Sequence, residues 1–380
     1  MNILHLTHTD IEYDNRIIKQ VLVLSSIRSY NVAGYGLESN KNRLQKYVPS
    51  GSYKIKNFRQ LGILEHFPRP LKHALTLFAI TLKFVVNGVF YRPNVIHCHD
   101  TMVLPAGVIL KIICGSKLIY DAHELESHKN GQTLVLSKMT FLIEWSLWRI
   151  IDFFISVSPS IVEWYEEKLG VKPNEIILNS PLYNEMEKKK SSNKSYFRMK
   201  YGIEERDIIF LYLGIIGKGR GVEMYLDIFD SQSVRSHIVF MGYGDLVDDV
   251  INMSKSCKKI HYHPRVEHEK VVEISQSADI GLAVVEDISL SDYYCLPNKL
   301  FEYAFSGIPV LVSDFPDMKQ IVEKYKLGVT TKIDLNSVRD AIIRIQDEGL
   351  APSDCDLTPI SWQKQSLKLL DVYNRLDINY

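Results

Sequence analysis

Short apolar runs rich in β-branched residues recur along the chain at Asn2–Thr7, Asn31–Leu37, Val95–His99, Lys117–Asp121, Phe153–Ser158 and Glu175–Asn179. Stretches of helical periodicity separate them. That alternation predicts βαβ units, hence parallel strands joined by helical crossovers in a doubly wound sheet, whose ligands sit outside the carboxyl ends of the strands. After Tyr183 the sequence NEMEKKKSSNKS is polar and charged, the composition of an exposed linker, which places a boundary near residue 190. The alternation then resumes at Asp207–Gly214, His237–Gly242, Lys259–His263, Asp279–Val285, Pro309–Ser313 and Gly328–Thr331. The expected organisation is α/β: two doubly wound, Rossmann-like domains, 1–190 and 191–358, facing a central cleft. A last helical stretch, Ser361–Tyr373 within residues 359–380, is expected to cross back to the first domain.

Composition narrows the function classes. At 380 residues the chain can fill two cores. Lys plus Arg equals Asp plus Glu at 45 each, so no bulk charge points to nucleic acid, and any anion site must be local. The five cysteines, Cys98, Cys114, Cys257, Cys295 and Cys355, are odd in number and form no CxxC pair, which argues against a disulfide framework or a zinc site. The amino terminus, MNILHLTHTD, enters a strand directly without the basic and long apolar segments of a signal peptide; a cytoplasmic setting is expected. One segment, Ala74–Tyr91, is apolar, but Lys83 and Asn87 interrupt it. It reads as a buried helix, as a marginal membrane span, or as a peripheral contact with an anionic membrane on the inner face of the plasma membrane. Arg69, Lys72, His73 and Arg92 at its ends suit the last of these.

Several places could carry chemistry. Leu296–Asp314, LPNKLFEYAFSGIPVLVSD, predicts a helix with Pro297 in its first turn and a stop at Gly307 and Pro309. Asn298, Lys299, Glu302, Tyr303 and Ser306 form one polar arc, opposite Leu300, Phe301, Ala304 and Phe305. Glu302 is therefore either a solvated helix residue or a carboxylate facing a cleft. Between Leu213 and Glu223, four glycines from Gly214 to Gly221 join a strand end to a helix start, with Lys218 and Arg220 between them. Close backbone N–H groups, a helix amino terminus and two cations suit a phosphate or diphosphate. A ligand-free tight turn is the bland alternative, and the spacing matches no P-loop. A second turn, Met241–Asp245 with Gly242 and Tyr243, could border a nucleotide base.

In the first half, Tyr120–Leu125 ends a strand with Asp121, His123 and Glu124. His123 can hydrogen-bond a sugar hydroxyl or transfer a proton. His97, Cys98, His99 and Asp100 look like metal ligands, but strand alternation sends His97 and His99 to one face and Cys98 to the other. A packed pair, or a cleft-lining role for His99 or Asp100, fits better. Asp14 either caps the helix after the first strand or accompanies Arg16 into the cleft. His261 and His263 read as loop residues at a strand end.

Together, YDAHELE, KGRGVE, FMGYGD, HPRVEHEKVVEISQSADIGLAVV and PNKLFEYAFSGIPVLVSDFPDM resemble glycosyltransferase family 4, retaining transferases of the GT-B fold. The resemblance implies a carboxyl-terminal domain that binds a nucleotide-diphosphate sugar, with Glu302 holding the ribose hydroxyls. It matches Arg220 to a diphosphate-binding base, His123 to a histidine near the donor sugar, and Asp14 and Arg16 to a DxR pattern. Gly214, Lys218, Asn298, Lys299, Gly242 and Tyr243 complete the expected donor-binding set. No acidic DxD-like pair stands out, so protein cations are expected to replace a metal, and no cofactor is expected. The acceptor implied is a glycan or lipid-linked sugar in surface polysaccharide synthesis. One departure concerns the E-x7-E pattern, whose first position here is Tyr294, with Glu286 and Asp287 as nearby substitutes. That departure keeps an inactive partner subunit open as an alternative, and a nucleotide-sugar epimerase is a second one.

Overall fold

The computed structural model describes residues 1–38, 53–59, 69–182 and 195–377. The chain forms two compact units, Met1–Ile177 with Ser366–Tyr380, and Leu178–Gln365. The linker and boundary expected near residue 190 fall in 183–194, outside the described residues.

The first unit is built on seven parallel strands: β1 Asn2–Leu6, β2 Asn31–Leu37, β3 Tyr53–Phe58, β4 Val95–His99, β5 Lys117–Ala122, β6 Phe153–Ser156 and β7 Asn174–Ile176, in the order β3-β2-β1-β4-β5-β6-β7. The order reverses between β1 and β4, which creates the switch point at which doubly wound sheets hold their working residues. Strand β3 is absent from the sequence reading. Its YKIKNF alternates exposed lysines with half-buried residues, as suits a sheet edge, and lacks the continuous apolar run of a buried central strand. The helices are α1 Asn15–Ser25, α2 Arg69–Tyr91, α3 Leu104–Cys114, α4 Leu134–Leu147 and α5 Pro159–Leu169. The Asp14 carboxylate accepts from the Ile17 N–H and caps α1, and Gly115 in a left-handed conformation closes α3.

The second unit has six parallel strands: β8 Ile209–Ile215, β9 His237–Tyr243, β10 Ile260–Pro264, β11 Ile280–Ala283, β12 Val310–Ser313 and β13 Gly328–Thr331, in the order β10-β9-β8-β11-β12-β13. Its switch point lies between β8 and β11. Helices α6 Val222–Asp230, α7 Val247–Ser256, α8 His268–Ser275, α9 Asn298–Ser306, α10 Pro316–Lys324 and α11 Leu335–Glu348 flank the sheet. One core cluster joins Phe210, Tyr212 and Phe240 from the strands to Tyr225 and Phe229 of α6 and Ile342 of α11. His261 and His263 are not loop residues: both belong to edge strand β10, where His261 stacks on Tyr201 at 4.5 Å and His263 shares a 2.8 Å hydrogen bond with Tyr196.

Helix α12, Trp362–Asp377, ends the described chain, and Tyr373 on it is buried against His97. Among the described residues no helix is long and apolar enough to cross a membrane, which removes the spanning alternative for Ala74–Tyr91.

Candidate functional site

In the carboxyl-terminal unit, the site grows from the ends of β8 and β9. Gly214, Gly219 and Gly221 hold φ of 109°, 75° and 74°, a region that glycine enters without steric cost. Gly242 faces Gly214 across the strand pair. A Cβ on Gly242 would lie 1.8 Å from the Gly214 carbonyl oxygen, so the glycine at 242 is what lets the strand ends approach, while Gly214 answers to its positive φ. Helix α6 starts directly after Gly221, whose N–H donates to Glu286 Oε1 at 3.0 Å. The turn thus does present a donor to an anion, and in the free chain that anion is the protein's own carboxylate. Lys218 is exposed and Arg220 half-buried beside it.

Helix α9 brings further groups to the same strand ends, and here the structure revises the polar arc. Tyr303 is fully buried: its hydroxyl lies 2.8 Å from the Leu211 carbonyl and 3.2 Å from that of Leu282, and accepts from the Leu213 N–H at 2.9 Å. It ties α9 to β8 and β11. Ser306 is buried as well and donates to the Val272 and Glu302 carbonyls. A helical wheel treats polar residues as outward-facing, but these two turn inward because backbone carbonyls meet their hydroxyls there.

Lys299 is also buried, with its Nζ 3.8 Å from the centre of the Tyr212 ring. Burial, then the charge of Arg220, pull its pKa down to about 7, and Glu302 opposes them in part. Glu302 keeps 13% side-chain exposure and lies 3.8 Å from His268 Nδ1; Asn298 is exposed. Tyr243 is half exposed under the Arg265 guanidinium, 5.1 Å from its ring centre. Tyr294 follows the short helix Leu290–Tyr293, with its ring 5.4 Å from that of Tyr293. Arg220, Lys299, Glu302 and the glycine turn therefore form one group of neighbours.

In the amino-terminal unit, β1, β4 and β5 end in a file of imidazoles. His97 and His99 stack at 4.4 Å, as alternation requires, with His5 against them at 4.8 and 5.2 Å. His5 Nδ1 shares a 2.9 Å hydrogen bond with His99 Nε2, and His99 Nδ1 one of 3.1 Å with His123 Nε2. Burial, then His97, press the His99 pKa down to about 3, so this ring is neutral. His99 has no exposed surface and so does not line a cleft itself.

Beneath the file sits Asp121, fully buried, accepting from Arg16 Nη2 at 2.8 Å and Gln20 Nε2 at 2.9 Å. Arg16 is only 4% exposed and also donates to the Ile177 carbonyl at 2.9 Å. It does not point into open space, because a buried carboxylate claims it, and Asp14 is occupied by its cap. Gln20 escaped the sequence reading, although its position four residues after Arg16 puts both on one face of α1.

His123, 17% exposed, is the outer end of the file. Its Nδ1 is 3.7 Å from Asp100 Oδ1 and its Nε2 3.6 Å from Asp121 Oδ2. Burial works against its charge, but the two carboxylates outweigh that and raise its pKa. Asp100 adopts φ 66° and ψ 164° at the end of β4, a conformation costing about 1–3 kcal/mol for a residue with a Cβ and typical of working sites.

Among the described residues, two donor groups are close enough to suggest a metal, His5, His97 and His99, and His99, Asp121 and His123. The first three rings are within 14–24° of parallel and cannot aim their in-plane lone pairs at one ion. In the second group the ring nitrogens are bonded to one another and Asp121 to Arg16 and Gln20. Neither fits a metal as arranged.

No protein-family profile matches the chain. It is 23% identical over 371 residues to chitobiosyldiphosphodolichol β-mannosyltransferase of Kluyveromyces lactis, spanning 86% of this chain and 79% of that one. Among solved structures, sucrose-phosphate synthase from Thermosynechococcus elongatus superposes over the whole of both chains with a TM-score of 0.78 and 14% identity. Anabaena HepE, solved with UDP-glucose, gives a TM-score of 0.70 at 10% identity over 99% of this chain and all of that one. The two parallel sheets are thus those of the GT-B fold.

Proposed function

We propose that this chain, a glycosyltransferase of GT-B fold, moves a sugar from a nucleoside diphosphate to a glycan or lipid-linked acceptor, with retention and without a metal, in the synthesis of a surface polysaccharide. The observation that carries the reading is the buried Lys299 ammonium over the Tyr212 ring of β8, near enough to Arg220 of the glycine turn to feel its charge, with Glu302 three residues further along α9. A relative whose name specifies a dolichol-linked acceptor, and a fold neighbour crystallised with UDP-glucose, favour the same donor and acceptor classes.

Breaking the glycosyl–phosphate bond leaves an oxocarbenium-like sugar and moves negative charge onto the departing diphosphate. Fixed positive groups lower that barrier because they need no reorganisation. Arg220, Lys299 and the start of α6 supply them, with Lys218 at the exposed rim. The diphosphate displaces the Glu286 carboxylate from the Gly221 N–H, freeing Glu286 for the sugar in place of the glutamate absent at Tyr294. Glu302 accepts from the ribose hydroxyls, with Asn298, Gly242 and Tyr243 around the nucleoside. In a retaining reaction the acceptor attacks on the face that the diphosphate leaves, and a diphosphate oxygen takes its proton. His123 orients the sugar, with Asp100 fixing its ring. A lipid-linked acceptor would bring the enzyme to the inner face of the plasma membrane.

A thermal-shift screen against nucleotide sugars tests the reading, since a ligand of the native state raises its stability by mass action. One donor is expected to raise Tm, and Glu302→Ala to weaken that donor by roughly 1.5–3 kcal/mol through the lost hydrogen bonds to a charged group. No response to any donor would sink the proposal. Product analysis separates the alternatives: an epimerase converts donor without acceptor, and an inactive subunit transfers to none.

Lys299 adds a pH signature. Its folded pKa of about 7 means that the charge is half lost near neutrality, while a bound diphosphate favours the charged form. Nucleoside diphosphate affinity is expected to fall as pH rises through that value, with proton uptake on binding near and above it. The same Kd series in Lys299→Met should lose both; an unaltered profile would remove Lys299 from the donor site.

A further inference from the structure

His5, His99 and His123 come from β1, β4 and the turn after β5, and their rings are joined end to end. His5 Nδ1 meets His99 Nε2 at 2.9 Å, with the ring planes 15° from parallel and the centroids 5.2 Å apart. At that separation the two rings lie edge to edge, so the bond runs in their shared plane, where an imidazole has its N–H and its lone pair. His99 Nδ1 meets His123 Nε2 at 3.1 Å. Each link therefore needs one N–H and one bare nitrogen.

Proton counting leaves two arrangements. Burial holds His5 and His99 far below the ordinary histidine range, so each is neutral and carries one proton. His123 Nδ1 faces Asp100 Oδ1 at 3.7 Å and its Nε2 faces Asp121 Oδ2 at 3.6 Å. With a carboxylate at each nitrogen, the charged ring holds a proton on both. Its Nε2–H then donates to His99 Nδ1, so the His99 proton sits on Nε2 and donates to His5 Nδ1, and the His5 proton sits on Nε2. When His123 gives one proton to solvent, the other stays on Nδ1 toward Asp100, and the bare Nε2 accepts from His99 Nδ1–H. His99 Nε2 in turn accepts from His5 Nδ1–H. His99 and His5 keep one proton each throughout and exchange the nitrogen that bears it. The far end of the file, His5 Nε2, is buried without a hydrogen-bond partner among the described residues, so the choice between the two arrangements is made at His123. The other charged or titratable neighbours bear on the two carboxylates: Arg16 and His97 on Asp121, His8 and the Glu126-paired Lys129 on Asp100.

We propose that His99 and His5, both fully buried, are positioning residues for His123: they hold its Nε2 as a donor while the ring is charged, and reverse as one unit when it is not. This deepens the role proposed for His123 in sugar transfer and rests on it. The bond from a charged ring is stronger than its neutral counterpart, so the file favours the imidazolium. In that form His123 takes no proton from the acceptor and adds positive charge to a step in which negative charge grows.

Nitrogen NMR of the full chain labelled at its histidines, followed through pH without substrate, tests the file. Below the His123 midpoint His5 and His99 are expected to carry their proton on Nε2 and above it on Nδ1, all three rings changing at one pH although only His123 changes charge. Asp100→Asn should bring that midpoint, and the His5 change with it, to lower pH, because a carboxylate that favours the charged ring is gone. His99→Leu should lower the His123 midpoint by about half a pH unit or more through loss of the charge-assisted bond. His99→Gln, whose amide offers a donor and an acceptor, should restore part of it. Flat His5 and His99 signals through the His123 midpoint overturn the proposal, as does an unmoved midpoint in folded His99→Leu. The alkaline limb of the kcat profile should follow the midpoint in each variant. A limb that stays in place while the three rings change together upholds the file and takes His123 out of sugar transfer.

Discussion

Arg220→Ala is expected to lower kcat for sugar transfer by about two to three orders of magnitude while weakening free nucleoside binding far less. The asymmetry follows from where charge develops. A nucleoside is held through its ribose and base, but negative charge accumulates on the bridging oxygen only as the glycosyl bond breaks. Arg220 lies in the glycine turn one residue before Gly221, close enough to Lys299 to depress its pKa. Removing the guanidinium should therefore raise the Lys299 pKa as well, leaving one cation where two had stood. Arg220→Lys should recover part of the rate, since it keeps the charge and loses the two-pronged donor. Single-turnover transfer is the measurement, and an Arg220→Ala rate within a few-fold of wild type would take Arg220 out of the mechanism.

The second large effect concerns stability. Asp121→Ala should destabilise the amino-terminal unit by about 3–5 kcal/mol, because it leaves Arg16 charged, buried and unpaired. Arg16 Nε already lacks a hydrogen-bond partner, so the Asp121 contact matters more. Asp121→Ala combined with Arg16→Met should cost less than the sum of the two single changes, since the pair then leaves no lone charge.

The pH dependence has a definite sign. Burial alone would raise the Asp121 pKa, but Arg16 and His123 outweigh it and hold the carboxyl well below its ordinary 3.8. Its contribution is thus complete above that value and fades as pH falls through the lower folded one. Urea unfolding followed from neutral pH into acid should show this loss in the wild type and a flatter profile in Asp121→Asn. A loss below about 1 kcal/mol for Asp121→Ala would place the pair outside the stabilising core.

How far the site was legible depended on the kind of signal. The glycine turn could be read directly, because positive φ and close strand approach admit almost no other residue, and Gly214, Gly221 and Gly242 meet those demands. Asp14 could be read as a cap, one of two open alternatives, since capping is decided within four residues. The two histidines of β4, His97 and His99, are put on one face by alternation alone. Their roles were not legible, because His99 is shut in by His5 from β1 and by His123 after β5, contacts that span most of the unit. The α9 wheel failed for the same reason: Tyr303 bonds to β8 and β11, and no helical periodicity carries that information.

The sequence by itself determined the alternation of strands and helices, the two switch points it entails and the turns at which an anion can approach the backbone. Those features rest on local sterics and on the period of apolar positions, which any stretch of about ten residues already contains. Only the tertiary structure decided that Arg16 serves Asp121, that Lys299 is buried beside Arg220 with a pKa near 7, and that Glu286 holds the start of α6. It also decided that the apolar segment after residue 74 keeps one face in water next to two further helices of the same character. Charge, burial and exposure are sums over neighbours distant in sequence, and they acquire values only when the chain has folded.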